Sequence, residues 1–279
     1  MSYIEAMKAR SSVRTYDDRF IEKDIYDKID AYIQNSENLV GPFGHQTAVL
    51  LLQQKGGMEN TQKLGTYGII KGAQAYAAGI AAKEDDAIVD CGYVLEKFIL
   101  FATELGLGTC WLGGTYDKQS LLQKIAVPKD RIIPAITPLG YPKGRRRVFE
   151  SLMRGFVSAA NRKPWKEVFC SGDFNTPLTE NSAGELNTAL EMVRTGPSAS
   201  NKQPWRLVLD GRTCHFYLAH SPGYIGNTFG YDMQRLDMGI ALCHFGLACA
   251  ELGIKGNWVR ENPGLVNAKE PVYIASYRY

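Results

Sequence analysis

At 279 residues the chain is long enough for one large domain or two small ones around a real core. It is 45% hydrophobic and 22% charged, and its net charge of +3 is too small to imply a nucleic-acid or membrane-surface partner. Six scattered cysteines with no CxxC pair, and only four histidines, argue against a disulfide framework and a structural zinc site.

The N-terminal MSYIEAMKARSS lacks the apolar core of a signal peptide, and no apolar run is long enough to cross a bilayer. The expectation is a reduced, soluble, cytoplasmic protein. The first cluster of interest is KARSSVRTYDDRFI (8–21), where Arg10, Ser11, Ser12 and Arg14 combine guanidinium forks with hydroxyls. Such groups suit phosphate oxygens, although an exposed RSSVR alone also reads as a solvated turn. Residues 40–49, VGPFGHQTAV, lead into a candidate strand at 47–54, and a second candidate covers 73–82. Residues 90–111 read as a long buried helix, with apolar residues at helical spacing and Gly106 as its stop.

GLGTCWLGGTYD (106–117) follows, with a strand-like TCWL and then Gly113 and Gly114, which either let a flat ligand approach the backbone or form a plain turn. It is not a dinucleotide fingerprint. A strand is expected within 132–141. PKGRRRVFE (142–150) then brings Arg145, Arg146 and Arg147, which alone read as a solvated hairpin. The polar, turn-rich 151–185 reads as a crossover.

GPSASNKQPWR (196–206) is the most unusual segment. Pro197 and Pro204 stiffen it, and Ser198, Ser200, Asn201 and Gln203 offer hydrogen bonds suited to a heteroaromatic edge or to local turns. Trp205 then enters a strand at 205–210. Another strand is expected at 214–220, a buried helix at 237–258 and a last strand at 271–279.

The chain repeats itself. Residues 90–111 and 237–258 align without gaps at an offset of 147, with Asp90, Gly92, Leu95, Phe98, Leu100, Glu104, Leu105, Gly106 and Trp111 recurring as Asp237, Gly239, Leu242, Phe245, Leu247, Glu251, Leu252, Gly253 and Trp258. Each half reads helix, strand, strand, long helix, strand, an α+β order. The expected division is a first half at 1–150, a crossover at 151–185 and a second half at 186–279, intertwined as one globular body. The halves differ in decoration: the basic cluster sits on one and the serine-rich loop on the other. One complete site survives only where these parts meet.

RSSVRTY, GPSASNKQPW and GLGTCWLGG together resemble the flavin-binding signatures of the nitroreductase family, and the duplicated layout is similar to members in which one chain carries both halves. The resemblance spans nearly the whole chain. It implies a nitroreductase-like fold, with the second half standing in for the partner subunit of a homodimer in an intramolecular pseudo-dimer. It also implies FMN at the seam and an oxidoreductase moving hydride from NADH or NADPH, through the flavin, to a small acceptor such as a nitroaromatic or quinone. Arg10 and Ser12, with Ser11 beside them, are then expected to hold phosphate and ribityl oxygens. Arg14 is expected near the pyrimidine edge, where its charge would favour the reduced flavin without making it a catalytic residue. Gly113 and Gly114 would lie near N5, Pro197, Ser198, Ser200 and Asn201 would border the ring, and some of Arg145, Arg146 and Arg147 would reach the phosphate. No metal, nucleic acid or membrane partner is expected, and the chain is read as a monomer or weak homo-oligomer. In the mirror-image position Pro164, Trp165 and Glu167 replace the Ser and Arg pattern and Phe43 and Gly44 replace the serines, so a single FMN per chain is expected.

Two rivals stand beside this reading. A chain that binds FMN without turnover, or a scaffold, has the same sequence features. Cys110 with His244 and Asn257 also has the spacing of a papain-like hydrolase, although Cys110 follows a helix rather than beginning one and so lacks dipole activation.

Overall fold

A computed structural model describes residues 1–53, 66–122, 125–144, 162–221, 230–265 and 271–279. Helix α1 (Tyr3–Ala9) begins at Ser2, whose hydroxyl accepts the Glu5 amide while the Glu5 carboxylate accepts the Ser2 amide. Helix α2 (Lys23–Gln34) follows, then β1 (Ala48–Gln53), β2 (Ala75–Ala82) and the long α3 (Asp85–Glu104). Asp85 and Asp86 lie in the first turn of α3, where their charge suits the positive end of the helix. A short α4 (Lys118–Leu122), β3 (Arg131–Ile132) and β4 (Ile136–Leu139) complete the first half. Strand β2 is central: β1, β3 and β4 all pair with it antiparallel. Its small residues let α3 lie close; a Cβ on Gly79 would sit 2.9 Å from the Cys91 sulfur.

The second half contains α5 (Trp165–Val168), β5 (Phe169–Ser171), α6 (Asn187–Thr195), β6 (Trp205–Asp210), β7 (Thr213–Leu218), the long α7 (Gln234–Glu251), β8 (Asn257–Val259) and β9 (Val272–Arg278). Its sheet runs β5-β6-β7-β9-β8, antiparallel except for β5 beside β6. The expected strands are present with trimmed ends. The strand-like TCWL instead makes isolated bridges, with Thr109 to Ser12 and Leu112 to Ile136. Strand β5 lies inside the stretch read as crossover; three residues are too few to carry a legible alternation.

The repeat is visible in atomic detail. Helices α3 and α7 end at Gly106 and Gly253, with φ of +79° and +75°. They cross at the recurring glycines. A Cβ on Gly92 would lie 2.3 Å from the Leu236 carbonyl oxygen, and one on Gly239 would lie 2.0 Å from that of Val89. The two backbones therefore touch. Around them the cores interleave: Ile4, Met7, Val89 and Leu100 pack into the core of the second half, and Tyr231 and Leu236 into that of the first. Among the described residues no helix is long and apolar enough to cross a membrane.

This crossing is testable. Gly239→Ala would ordinarily raise helix propensity, but here the added methyl meets backbone, which cannot rotate away. We expect a loss of at least about 2 kcal/mol in urea unfolding. A variant as stable as the parent would contradict the backbone contact.

Candidate functional site

After α1 the chain runs extended along the end of the first sheet. Ser12 bridges Thr109 and Thr15 bridges Lys71, both in parallel, and the Val13 amide donates to the Thr109 carbonyl at 2.8 Å. Gly108 permits this approach, since a Cβ there would meet the Val13 side chain at 2.9 Å. Extended residues alternate sides. Arg10, Ser12 and Arg14 consequently line a cavity of about 430 Å³, while Ser11 does not.

The opposite wall is the loop after α6. Ser200, Asn201 and Gln203 have φ of +47°, +56° and +49°, left-handed values that non-glycine residues seldom adopt. Strain of this kind persists only when neighbours over-determine it. Here the Gln203 amide donates to Ser198 Oγ at 2.9 Å, Gln203 Oε1 accepts the Lys163 amide at 2.8 Å, and Gln203 Nε2 donates to the Asn201 carbonyl at 3.1 Å. Arg162 donates to Asn201 Oδ1 at 2.6 Å and to the Thr195 carbonyl at 2.8 Å. Asp237 in the first turn of α7 accepts the Ala199 amide at 2.9 Å. Trp205 is fully buried just beyond the loop. The segment is thus a rigid wall that turns Pro197, Ser198, Ser200 and Asn201 toward the cavity.

The cavity brings together Arg10, Ser12, Arg14 and Gly113 of the first half with those four residues of the second. Gly114 is exposed and not in the lining. Arg145, Arg146 and Arg147 lie outside the described residues. Sequence reasoning missed Arg162, Asp237 and Met233, which also line it. A signal for Asp237 existed in its recurrence with Asp90, and Arg162 stands in NRKPW at the start of the second half. Met233 carried no signal; its sulfur packs where a Cβ on Gly113 would be 3.2 Å away.

Electrostatically the cavity is cationic. Burial, then Arg10 and Arg194, push the Arg162 guanidinium down to about 10. Arg10 is held from behind by Glu96, with Nε 3.7 Å from Oε1 and side-chain exposures of 7% and 0%. Glu96 also accepts Trp111 Nε1 at 2.6 Å and His244 Nε2 at 2.9 Å. Despite that ion pair, Arg10 Nε and Nη1 make no hydrogen bond among the described residues. Buried guanidinium donors without a hydrogen-bond partner, on a residue that lines a cavity, favour an acceptor-rich anionic ligand there.

The hydrolase arrangement does not form. Burial pushes the Cys110 thiol up, outweighing the opposing effect of Arg14, which is the reverse of what a thiolate nucleophile needs. Both ring nitrogens of His244 are within hydrogen-bond distance of other partners, the Met192 carbonyl at 2.8 Å and Glu96 Oε1 at 2.9 Å, so the ring is committed away from a thiol. His215 is likewise committed, to Ser276 Oγ at 2.7 Å.

The family model described as Putative TM nitroreductase matches residues 2–249. A putative NADH dehydrogenase/NAD(P)H nitroreductase of Archaeoglobus fulgidus is 28% identical over 82 residues, which are 28% of this chain and 47% of that protein. The chain thus spans about half the length of that relative. A protein of the same description from Methanothermobacter thermautotrophicus is 26% identical over 163 residues, covering 54% of this chain and 84% of its own. A crystal structure of a putative nitroreductase from Thermotoga maritima superposes with a TM-score of 0.61 at 20% identity, covering 99% of this chain and 92% of the other. The nitroreductase-like α+β fold is therefore shared along the whole chain.

Glu96 offers a test of the frame beneath the cavity. Glu96→Ala leaves the buried Arg10 and His244 side chains without their shared partner, and we expect a loss of about 3–5 kcal/mol in urea unfolding. A loss below about 1 kcal/mol, the range of an exposed ion pair, would contradict a buried cluster.

Proposed function

The chain belongs to the Putative TM nitroreductase family, and on that premise we propose that it is an FMN-dependent oxidoreductase with its flavin in the cavity between the two halves. We take the halves as 1–150 and 186–279, with 151–185 crossing between them and its later part, Arg162 with α5 and β5, packing with the second half. The observation that carries this reading is the composition of the cavity. Arg10, Ser12 and Arg14 line it from the first half, and Ser198, Ser200 and Asn201, with Arg162, from the other side. Its volume lies within the ~300–1,000 Å³ usual for cofactor sites. Arg10 lines the cavity with its Nε and Nη1 lacking hydrogen-bond partners, and a phosphate or ribityl oxygen is the kind of acceptor such a guanidinium takes.

In this reading Arg10 and Ser12 hold the phosphate and ribityl oxygens, with Arg162 adding a cation from the second half. Arg14 lies toward the pyrimidine edge and would favour negative charge there. Gly113 presents backbone, and Pro197, Ser198, Ser200 and Asn201 border the ring. Bound FMN would supply the redox chemistry, taking hydride from NADH or NADPH and passing electrons to a small acceptor such as a nitroaromatic or quinone. The protein binds, orients and shields; no side chain is assigned as acid or base.

Arg10→Ala removes charged hydrogen bonds worth about 1.5–3 kcal/mol each, so FMN should bind roughly 10- to 100-fold more weakly in a fluorescence titration. Arg14→Ala, at an exposed position, should weaken FMN without changing the circular dichroism spectrum. Unaltered affinity in both variants would contradict the assignment.

A further inference from the structure

Asp237 is 3% exposed and reaches the cavity from the first turn of α7. Its Oδ1 accepts the Ala199 amide, and its Oδ2 has no partner among the described residues. Its counterpart in the repeat is fully used: Asp90 accepts the Phe43 amide at 3.0 Å on one oxygen and the His45 amide at 2.9 Å on the other. The difference lies in the loops. In the second half the left-handed turn sends the nearby amides inward, Asn201 to the Ser198 carbonyl at 2.9 Å, Lys202 to the Ala199 carbonyl at 3.1 Å and Gln203 to Ser198 Oγ. Asp237 Oδ2 is left buried and unpaired among the described residues, and Asp237 forms part of the lining of the space where a ligand would sit.

A buried carboxylate with one hydrogen bond is costly, and a neutral carboxylic acid avoids most of that cost while gaining an O–H donor. The charged groups around Asp237 are Arg10, Arg14 and Arg162 in the same cavity lining and Asp232 just before α7. Asp232 is itself engaged by His220 at 2.7 Å and lies 3.7 Å from Arg235 Nε. Burial chiefly, with a smaller push from Asp232 and against the pull of the Ala199 amide, takes the Asp237 carboxyl up to about 8. Asp90, with two amides instead of one, is raised only to about 6.

We propose that Asp237 is held as a neutral carboxylic acid and donates a hydrogen bond from Oδ2 to an acceptor atom of the cavity ligand, a carbonyl or ring nitrogen of the flavin. This rests on the flavin reading above and adds a polar contact to it from the second half. A site with such a donor selects a neutral acceptor edge at that wall, while the arginines select the anionic end.

The sign of the pH dependence follows. A ligand bound to the protonated acid raises its pKa further, so affinity is flat below about 8 and falls above it by up to about tenfold per pH unit. The test is titration of the apoprotein with FMN from about pH 7 to about pH 9.5, for the parent and for Asp237→Asn. The asparagine keeps an acceptor for the Ala199 amide and places a permanent N–H donor where the acid was. We expect the parent to weaken about tenfold or more across this range and the variant, whatever its affinity at neutral pH, to lack that fall. Parallel profiles in the two proteins, with FMN bound by both, would overturn the assignment of Asp237 alone. If the variant does not fold, a flat profile in the parent overturns it equally. Failure of the parent to bind FMN at any pH would overturn the flavin reading and this inference with it.

Discussion

The structure depends on one contact, the crossing of α3 and α7 at Gly92 and Gly239. Each glycine sits where any side chain would enter the other helix's backbone. That closeness makes the two halves one body and lets each core borrow residues from the other half. It also fixes the site. Residues that precede α7 and lie in its first turns reach the cavity, together with Trp111 and Gly113 just after α3. The extended segment from Arg10 to Arg14 and the loop from Pro197 to Asn201 thereby face each other although they are far apart in sequence.

The pairing of halves is close to symmetric, and function is read in the departures from symmetry. At the offset of 147, Glu96 corresponds to Cys243 and Lys97 to His244. Only one side therefore has the buried acid that holds Arg10, Trp111 and His244 together. Asp90 and Asp237 each pin a Gly-Pro loop, but the loops differ. One presents serines to a cavity. The other presents Phe43, whose ring packs against the core of the second half and lies 4.6 Å beneath the Arg260 guanidinium. Aromatic bulk thus occupies the position equivalent to the serine loop.

Much of this was legible in the sequence. The repeat could be read because buried helices must keep their pattern, their glycine stops and, here, the glycines of the crossing. The strands could be read from their apolar runs and turn residues. The grouping of the basic segment with the serine loop followed from their uneven distribution between halves and from the family resemblance. The sequence hid what depends on direction. That Ser11 points away while Arg10, Ser12 and Arg14 point inward needs the extended register set by Thr109 and Lys71. Arg162 and Glu96 belong to the site only through tertiary packing, and the unpaired oxygen of Asp237 lies beside a left-handed turn whose Asn201, Lys202 and Gln203 amides bond within the loop. Short β5 lacked enough residues to announce itself.

The central claim is that two similar halves assemble a single composite cofactor site. Its most direct measurement is the stoichiometry of FMN bound to purified protein, by equilibrium dialysis against excess cofactor. The account predicts saturation at one FMN per chain. Saturation at two would mean that the mirror-image position is a working site despite Phe43, and no saturable binding would mean that the seam is not a flavin site.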